Sequence, residues 1–175
     1  LRNPLILTDI KDIVKNTNFK VFKDCVENES ARIVSLNVPG GNKLSRKDID
    51  IYTELVKKYG AKGLAYFKID DINDLDNGIN SPIKKFLSND EISEIINLSN
   101  SKSGDLLFFS ADDCRITNDS MSALIKKLGT DLNIISNDYR FLWIIDYPLF
   151  EFDKKTKNLT SLHHPFTSPQ SEGEQ

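Results

Sequence analysis

Both histidines of the chain stand side by side, as His163 and His164, in the segment TSLHHPFTSP. An imidazole titrates near neutral pH, so it can donate a hydrogen bond to a carboxylate and gain positive charge there. Neighbouring side chains of an extended strand point to opposite faces. We therefore expect at most one histidine to face a small ligand. The alternative is that neither does, one being half-buried and satisfied within a strand while the other is exposed.

The spacing of potential metal ligands argues against a metal site. Zinc-binding histidines usually stand four residues apart on a helix or accompany a Cys-x-x-Cys pair, and neither pattern occurs. Cys25 and Cys114 are far apart in the chain. The acidic segment 70–81, DDINDLDNGINS, has the composition of a calcium loop, but Leu75 falls where an EF-hand needs an oxygen ligand. The sequence predicts a solvated loop there.

A short basic segment, PGGNKLSRK at residues 39–47, is a candidate phosphate contact. It joins two glycines to Lys43, Arg46 and Lys47 at the start of a predicted helix. Free backbone N–H groups and the helix dipole could receive a phosphate at such a place. The alternative is a strand-to-helix loop with a solvated basic rim. We favour this alternative, because the pattern is not that of a nucleotide-binding P-loop.

The bulk composition describes a globular protein. The 175 residues are 39% hydrophobic, and 23 basic side chains stand against 26 acidic ones, for a net charge of -3. A protein that binds nucleic acid by itself normally shows a basic surplus or stripe. No apolar stretch has transmembrane length, and two isolated cysteines fit a reducing cytoplasm. Because the chain starts at Leu1 without a leader-like segment, we expect a fragment of a longer cytoplasmic protein.

Hydrophobic periodicity and capping residues predict the order of the elements. They are a helix after Thr8, strands at 19–25 and 31–39 forming an antiparallel pair, a helix from Ser45 to Gly60, a strand at 63–69, a helix from Ser88 to about residue 98, a strand at 104–111 and a last helix ended by Gly129. This order favours a two-layer α+β domain over residues 3–135, with helices on one face of a largely antiparallel sheet.

Residues 138–175 have a different character. The apolar run RFLWIIDYPLFEF (140–152) and the segment LTSLHHPFT are separated by the charged turn DKKTKN. They predict two strands of a β-hairpin with no helix to cover them. A lone two-stranded hairpin is marginal in water, so it should belong to a larger sheet.

Seven stretches, in order, resemble bacterial-type aspartyl-tRNA synthetases: LNVPGG, LSRKDID, YGAKGLAYFKI, SPIKKFLS, GDLLFFSAD, FLWIIDYPLFEF and LHHPFTSP. The resemblance implies that residues 3–135 are the GAD domain that this family carries as an insertion. It implies that residues 138–175 return to the antiparallel sheet of the class II catalytic domain. The alternative is the related GAD domain of a tRNA-dependent amidotransferase subunit, a tRNA-binding module rather than a ligase.

The resemblance also implies an activity and its partners. The family is homodimeric, joins L-aspartate to ATP with Mg²⁺, and then transfers the aspartyl group to tRNA. By position, His163 would contact L-aspartate, and His164 would pack or orient groups from the opposite face. Apart from the resemblance, a phosphate received by the loop residues Lys43, Arg46 and Lys47 could come from the tRNA acceptor arm. Both arginine motifs that hold ATP are missing, so the chain alone is expected to be inactive.

Overall fold

The described chain divides into two units. The computed structural model describes residues 2–145, 148–153 and 156–162. The first unit is Arg2–Asp138, and the second contains the described residues from Tyr139 onward.

One antiparallel sheet forms the centre of the first unit. Within the described residues its five strands lie in the order β1-β2-β5-β3-β4, and every pairing is antiparallel. The strands are β1 (Leu7–Asp9), β2 (Ala31–Val38), β3 (Ala65–Ile69), β4 (Ile79–Asn80) and β5 (Leu106–Asp113). The longest ladder joins β2 to β5, from Ala31 opposite Asp113 to Val38 opposite Leu106.

Four helices pack on this sheet, and two of them begin with the same reciprocal cap. They are α1 (Lys20–Val26), α2 (Arg46–Lys57), α3 (Asn89–Leu98) and α4 (Cys114–Asp131), with 3-10 turns at Gly41–Lys43 and Lys84–Phe86 among the described residues. The side chains of Ser45 and Ser88 each accept a hydrogen bond from the backbone N–H of the residue three positions on. The carboxylate of that residue accepts in return from the backbone N–H of the serine. Both predicted helix starts are confirmed. No helix in the described part of the chain has the length and apolar character needed to cross a bilayer.

The central strands are apolar on both faces. Along β5, Leu106 and Phe108 belong to one cluster, which helices α2 and α4 cover. Leu107 and Phe109 belong to a second cluster, which α1 and α3 cover. The α+β class is confirmed, but the helices cover both faces rather than one. The reason is that the first four residues of β5, LLFF, are apolar on both sides, so each face must be shielded from water there.

The segment 19–25, predicted as a strand, lies in helix α1 apart from its first residue, Phe19, which caps the helix. The predicted pairing with 31–39 is also wrong, because β2 pairs with β1 and β5. The helix buries Phe22 and Cys25, which stand three residues apart. The Phe22 ring meets Phe109 of β5 edge-on, with centroids 6.2 Å apart. The apolar residues of so short a segment fit the periodicity of a helix as well as that of a strand. Packing on the sheet decides between the two.

Thr8 lies in strand β1 rather than at the start of a helix. The edge of β2 offers this segment backbone partners, and β1 takes them. The following residues form only turns, in which Ile13 and Val14 both donate to the carbonyl of Ile10, at 3.1 and 3.3 Å. A helix this short would gain few hydrogen bonds of its own. Burial of Ile10 and Val14 in the apolar cluster that α1 and α3 cover holds the segment in place.

Gly129 lies inside α4, which continues to Asp131, so it does not end the helix as predicted. A Cβ at Gly129 would lie 2.5 Å from Nδ2 of Asn3. That amide crosses the helix and donates to the carbonyl of Ile125 at 2.8 Å. The glycine is therefore needed for close approach, and Asn133, with φ of +51°, supplies the left-handed residue after the helix.

The beginning and the end of the first unit meet. The backbone N–H of Ser136 donates to the carbonyl of Arg2 at 2.9 Å. Leu5 packs in the same apolar cluster as Leu128 of α4, with Ile134 against it. The chain thus enters and leaves this unit at one place.

The second unit contains the predicted hairpin, but its first strand is shorter than expected, because residues 140–145, 148 and 149 of the apolar run are not in a strand. Strands β6 (Phe150–Asp153) and β7 (Asn158–Ser161) pair antiparallel, with Phe150 opposite Ser161. The preceding apolar residues are largely exposed, and Phe141 and Trp143 are each 94% accessible. So much exposed aromatic surface is typical of a region that another surface covers.

Candidate functional site

The segment 39–47 joins β2 to α2 through a left-handed residue and a 3-10 turn. Gly40 has a φ of +66°, a conformation that favours glycine. A Cβ at Gly41 would lie 2.8 Å from the Cβ of Leu106, so glycine lets this turn pack on the sheet. Both glycines therefore have a structural reason to be there.

The buried carboxylate of Asp105 anchors this segment. Asp105 is 7% exposed and immediately precedes β5. One oxygen accepts from the N–H of Gly40 at 2.9 Å. The other accepts from Nδ2 of Asn37 at 3.1 Å and from the N–H of Lys102 at 2.9 Å. Our sequence reasoning missed this residue, although an acid directly before the buried run LLFF was a usable signal.

We expect Asp105→Ala to lower the free energy of unfolding by about 2–4 kcal/mol, because three donors lose their buried acceptor. Asp105→Asn should cost less, since the amide keeps one acceptor oxygen. Asp24→Ala is the matched control: this exposed aspartate on α1 should change stability by no more than about 0.5 kcal/mol. Urea unfolding followed by far-UV circular dichroism measures all three. Equal midpoints for the Asp105 and Asp24 alanine variants would contradict the anchoring role.

The three predicted phosphate contacts lie together but are solvated. Lys43, Arg46 and Lys47 are all exposed. The Nε atom of Arg46 lies 3.5 Å from Oδ1 of Asp50, one turn further along α2. The segment therefore presents a solvated basic rim.

A carboxylate of the chain itself already occupies the start of α2. Asp48 accepts from the hydroxyl of Ser45 at 2.7 Å and from its N–H at 2.8 Å. These side-chain and backbone hydrogen bonds from Ser45 hold the pKa of the Asp48 carboxyl below its ordinary value. A phosphate here would approach a like charge, which favours the solvated-loop interpretation. The tRNA contact through Lys43, Arg46 and Lys47 stays a prediction.

The acidic segment 70–78 turns its carboxylates onto its own backbone. Asp71 accepts from the N–H of Asn73 at 2.9 Å, and Asp74 accepts from the N–H of Asn77 at 3.0 Å. The side-chain hydrogen bond from Asn77, followed by its backbone one, lowers the pKa of the Asp74 carboxyl. Among the residues that the structure describes, no group of three His, Cys, Asp or Glu side chains could hold a metal ion.

The loop closes tightly around Gly78. Its N–H donates to the carbonyl of Asp74 at 2.6 Å, and its own carbonyl accepts from Asp70 at 2.7 Å and from Asp71 at 3.1 Å. A Cβ at Gly78 would lie only 2.1 Å from the Asp71 carbonyl oxygen and 2.6 Å from that of Asp74. Backbone on two sides leaves no room for a side chain.

His163 and His164 lie outside the described residues. The preceding strand, β7, ends at Ser161. The predicted roles of the two histidines, in contacting aspartate and in packing from the other face, stay predictions.

The described structure defines the class of the protein: an α+β domain built on one antiparallel sheet with helices on both faces, followed by a β-hairpin. The GAD domain family matches residues 22–121, more than half of the 175 residues. The chain belongs to the GAD domain family.

Curated proteins similar to this chain include three aspartate–tRNA(Asp/Asn) ligases of Legionella pneumophila, from the strains Corby, Philadelphia 1 and Paris. Each is 48% identical to it over 170 residues. The aligned region covers 97% of this chain but 29% of each relative. The chain thus spans less than a third of the length of these relatives.

Proposed function

We propose that this chain is part of a longer aspartate–tRNA ligase. That protein activates L-aspartate with ATP and transfers the aspartyl group to tRNA. In this proposal residues 3–135 are the GAD insertion, and residues 138–175 belong to the catalytic domain. The longer protein acts as a homodimer in the cytoplasm.

One observation carries the proposal: the extent of the similarity. The GAD family covers residues 22–121 only, whereas the ligases align over 97% of the chain. Their similarity therefore continues beyond the GAD residues into the hairpin unit. An amidotransferase subunit that shared only the GAD domain would not explain this continuation.

The exposed hairpin supports the same proposal. Phe150 and Phe152 of β6 and Leu159 of β7 are all more than half exposed. A two-stranded hairpin with apolar side chains in water is marginal by itself. Further strands of a catalytic sheet would cover these side chains.

The residues that the structure describes do not fit a Mg²⁺ site, and the sequence carries no Arg-Asp-Glu motif for ATP. In the described part of the chain no cluster of acidic side chains could hold a metal ion. The chain's arginines are Arg2, Arg32, Arg46, Arg115 and Arg140, and none stands in an Arg-Asp-Glu sequence. The remainder of the ligase would have to supply the groups that bind ATP and Mg²⁺, so we derive no catalytic step for these residues.

Within this chain, His163 is our proposed contact to substrate. A neutral or protonated imidazole can donate to the aspartate carboxylate, and a protonated one gains from its charge. His164, on the opposite side of an extended segment, would pack or hold neighbouring groups in place. The loop residues Lys43, Arg46 and Lys47 would offer tRNA at most a weak contact, because Asp48 lies beside them.

Aspartate-dependent exchange between ATP and pyrophosphate tests the function. We expect the full-length protein to catalyse it and the 175-residue chain to give no rate above a no-enzyme control, because the ATP-binding arginine motifs are absent from the chain. Replacing aspartate by glutamate in the full-length assay is the control for substrate. No aspartate-dependent exchange by the full-length protein would overturn the ligase, whereas exchange by the short chain would place the ATP site within it.

A further inference from the structure

Helix α2 carries two apolar stripes, although a surface helix needs only one. Ile49, Tyr52 and Val56 face the core and are at most 3% exposed. Ile51 and Leu55 lie on another side of the helix, and Ile51 is 48% exposed. The second stripe is not used by the fold of the described unit.

The second stripe forms the floor of a groove beside α4. The groove has a volume of about 430 Å³, and Lys127 of α4 forms its opposite wall. Along α2, Lys47 lies at one end of the stripe and Lys58 at the other. They are eleven positions apart (58 − 47), or about 16 Å along the axis. The groove is an aliphatic seam with a lysine at each end.

The salt bridges around the groove involve its two acids and Lys127, not the two end lysines. Asp50 pairs with Arg46 at 3.5 Å, and Glu54 pairs with Lys57 at 2.7 Å. The third lysine of the groove, Lys127, pairs with Asp131. In contrast, neither Lys47 nor Lys58 forms a salt bridge with any residue that the structure describes.

From this arrangement we propose that the α2–α4 groove docks an acidic amphipathic helix of another protein. Aliphatic side chains on successive turns of that helix pack on Ile51 and Leu55. Two carboxylates about three turns apart reach Lys47 and Lys58. The groove shares Lys47 with the candidate tRNA contact, but it includes no part of the proposed aspartate contact.

The same residues argue against two other occupants. A second copy of the chain, packed about a two-fold axis through Ile51 and Leu55, would set Lys47 of each copy against Lys58 of the other. Nucleic acid would bring phosphates over a floor that is aliphatic and bordered by Asp50 and Glu54. A helix with only two carboxylates, one at each end lysine, keeps aliphatic side chains over the part of the floor that Asp50 and Glu54 border.

A designed peptide tests the groove. The probe is a labelled helical peptide of about 18 residues with a leucine stripe and two glutamates eleven positions apart; a matched peptide carries lysines at those two positions. Fluorescence anisotropy with the 175-residue chain should give a Kd of about 10–100 µM for the acidic peptide, the range of a small transient interface. The lysine peptide should bind at least about tenfold more weakly. Equal affinities, or no binding of the acidic peptide at about 1 mM, would overturn the proposal.

Variants locate the binding. Ile51→Ser should raise the Kd of the acidic peptide at least about fivefold. The double variant Lys47→Glu, Lys58→Glu should bind the lysine peptide more tightly than the acidic one. Trp143→Ser is the control for binding to the exposed hairpin unit and should change the Kd less than about twofold. A loss with Trp143→Ser but not with Ile51→Ser would place the peptide elsewhere. Binding by the short chain but not by the full-length protein would mean that the longer chain covers the groove itself, which would overturn the external partner.

Discussion

Gly78→Ala should destabilise the first unit more than any other single-methyl addition to its glycine loops. The new Cβ would lie 2.1 Å from one backbone carbonyl oxygen and 2.6 Å from another. Neither oxygen can move away cheaply, because both belong to the loop that Gly78 closes with its own hydrogen bonds. We expect the free energy of unfolding to fall by at least about 3 kcal/mol, through opening of the 70–78 loop.

Gly63→Ala is the matched control, since it adds the same methyl group in open space. No atom lies within 4 Å of its ideal Cβ, and its φ is not positive. The change should lie within about 0.5 kcal/mol of zero, or stabilise slightly by restricting the unfolded chain. Far-UV circular dichroism in urea is the suitable measurement, because the single tryptophan, Trp143, lies in the other unit. If both alanine variants unfold at the wild-type midpoint, the loop is looser than its geometry indicates.

His163→Ala in the full-length protein should lower the aspartate kcat/KM by about tenfold or more, with little change in melting temperature. This is the scale of one lost charge-assisted hydrogen bond to the substrate carboxylate. If the segment is extended, as the sequence predicts, adjacent residues face opposite ways and His164→Ala should act mainly on stability. The two histidine variants are thus expected to differ in kind as well as in size.

Pyrophosphate exchange at varied aspartate, run beside a melting curve for each variant, separates these effects. A raised KM for aspartate with an unchanged melting temperature identifies the histidine that contacts substrate. Should His164→Ala lose aspartate affinity while His163→Ala stays near wild type, the assignment is wrong by one residue. If both variants only melt earlier, neither histidine touches aspartate.

Elements defined by local chemistry could be predicted from the sequence. Ser88 and Glu91 predicted the start of α3, and the structure has both reciprocal hydrogen bonds. Segments 31–39 and 104–111 were predicted as strands because they are long apolar runs, and they form β2 and β5. The cap is decided by residues three positions apart, and the strands were indicated by the composition of each segment itself.

Features set by distant partners could not be predicted. Helix α1 was predicted as a strand, since only its packing against β5 shows which period its apolar residues follow. The role of Asp105 depends on Gly40, which is 65 positions away. At the candidate loop the basic residues were recognised, but the effect of Asp48 was not. Yet the pattern Ser45-x-x-Asp48 is local, and it could have predicted that a carboxylate of the chain caps the start of α2.

The hydrogen bond between Arg2 and Ser136 has a consequence for how such a module spreads between proteins. A domain whose two ends meet replaces a surface loop of its host with little change in the distance that the host must bridge. A host protein can then gain or lose the whole domain without strain in the part of its fold that flanks the loop. For the same reason, joining residues 2 and 136 by a short glycine linker and opening the chain at the exposed Gly63 should give a circular permutant that folds.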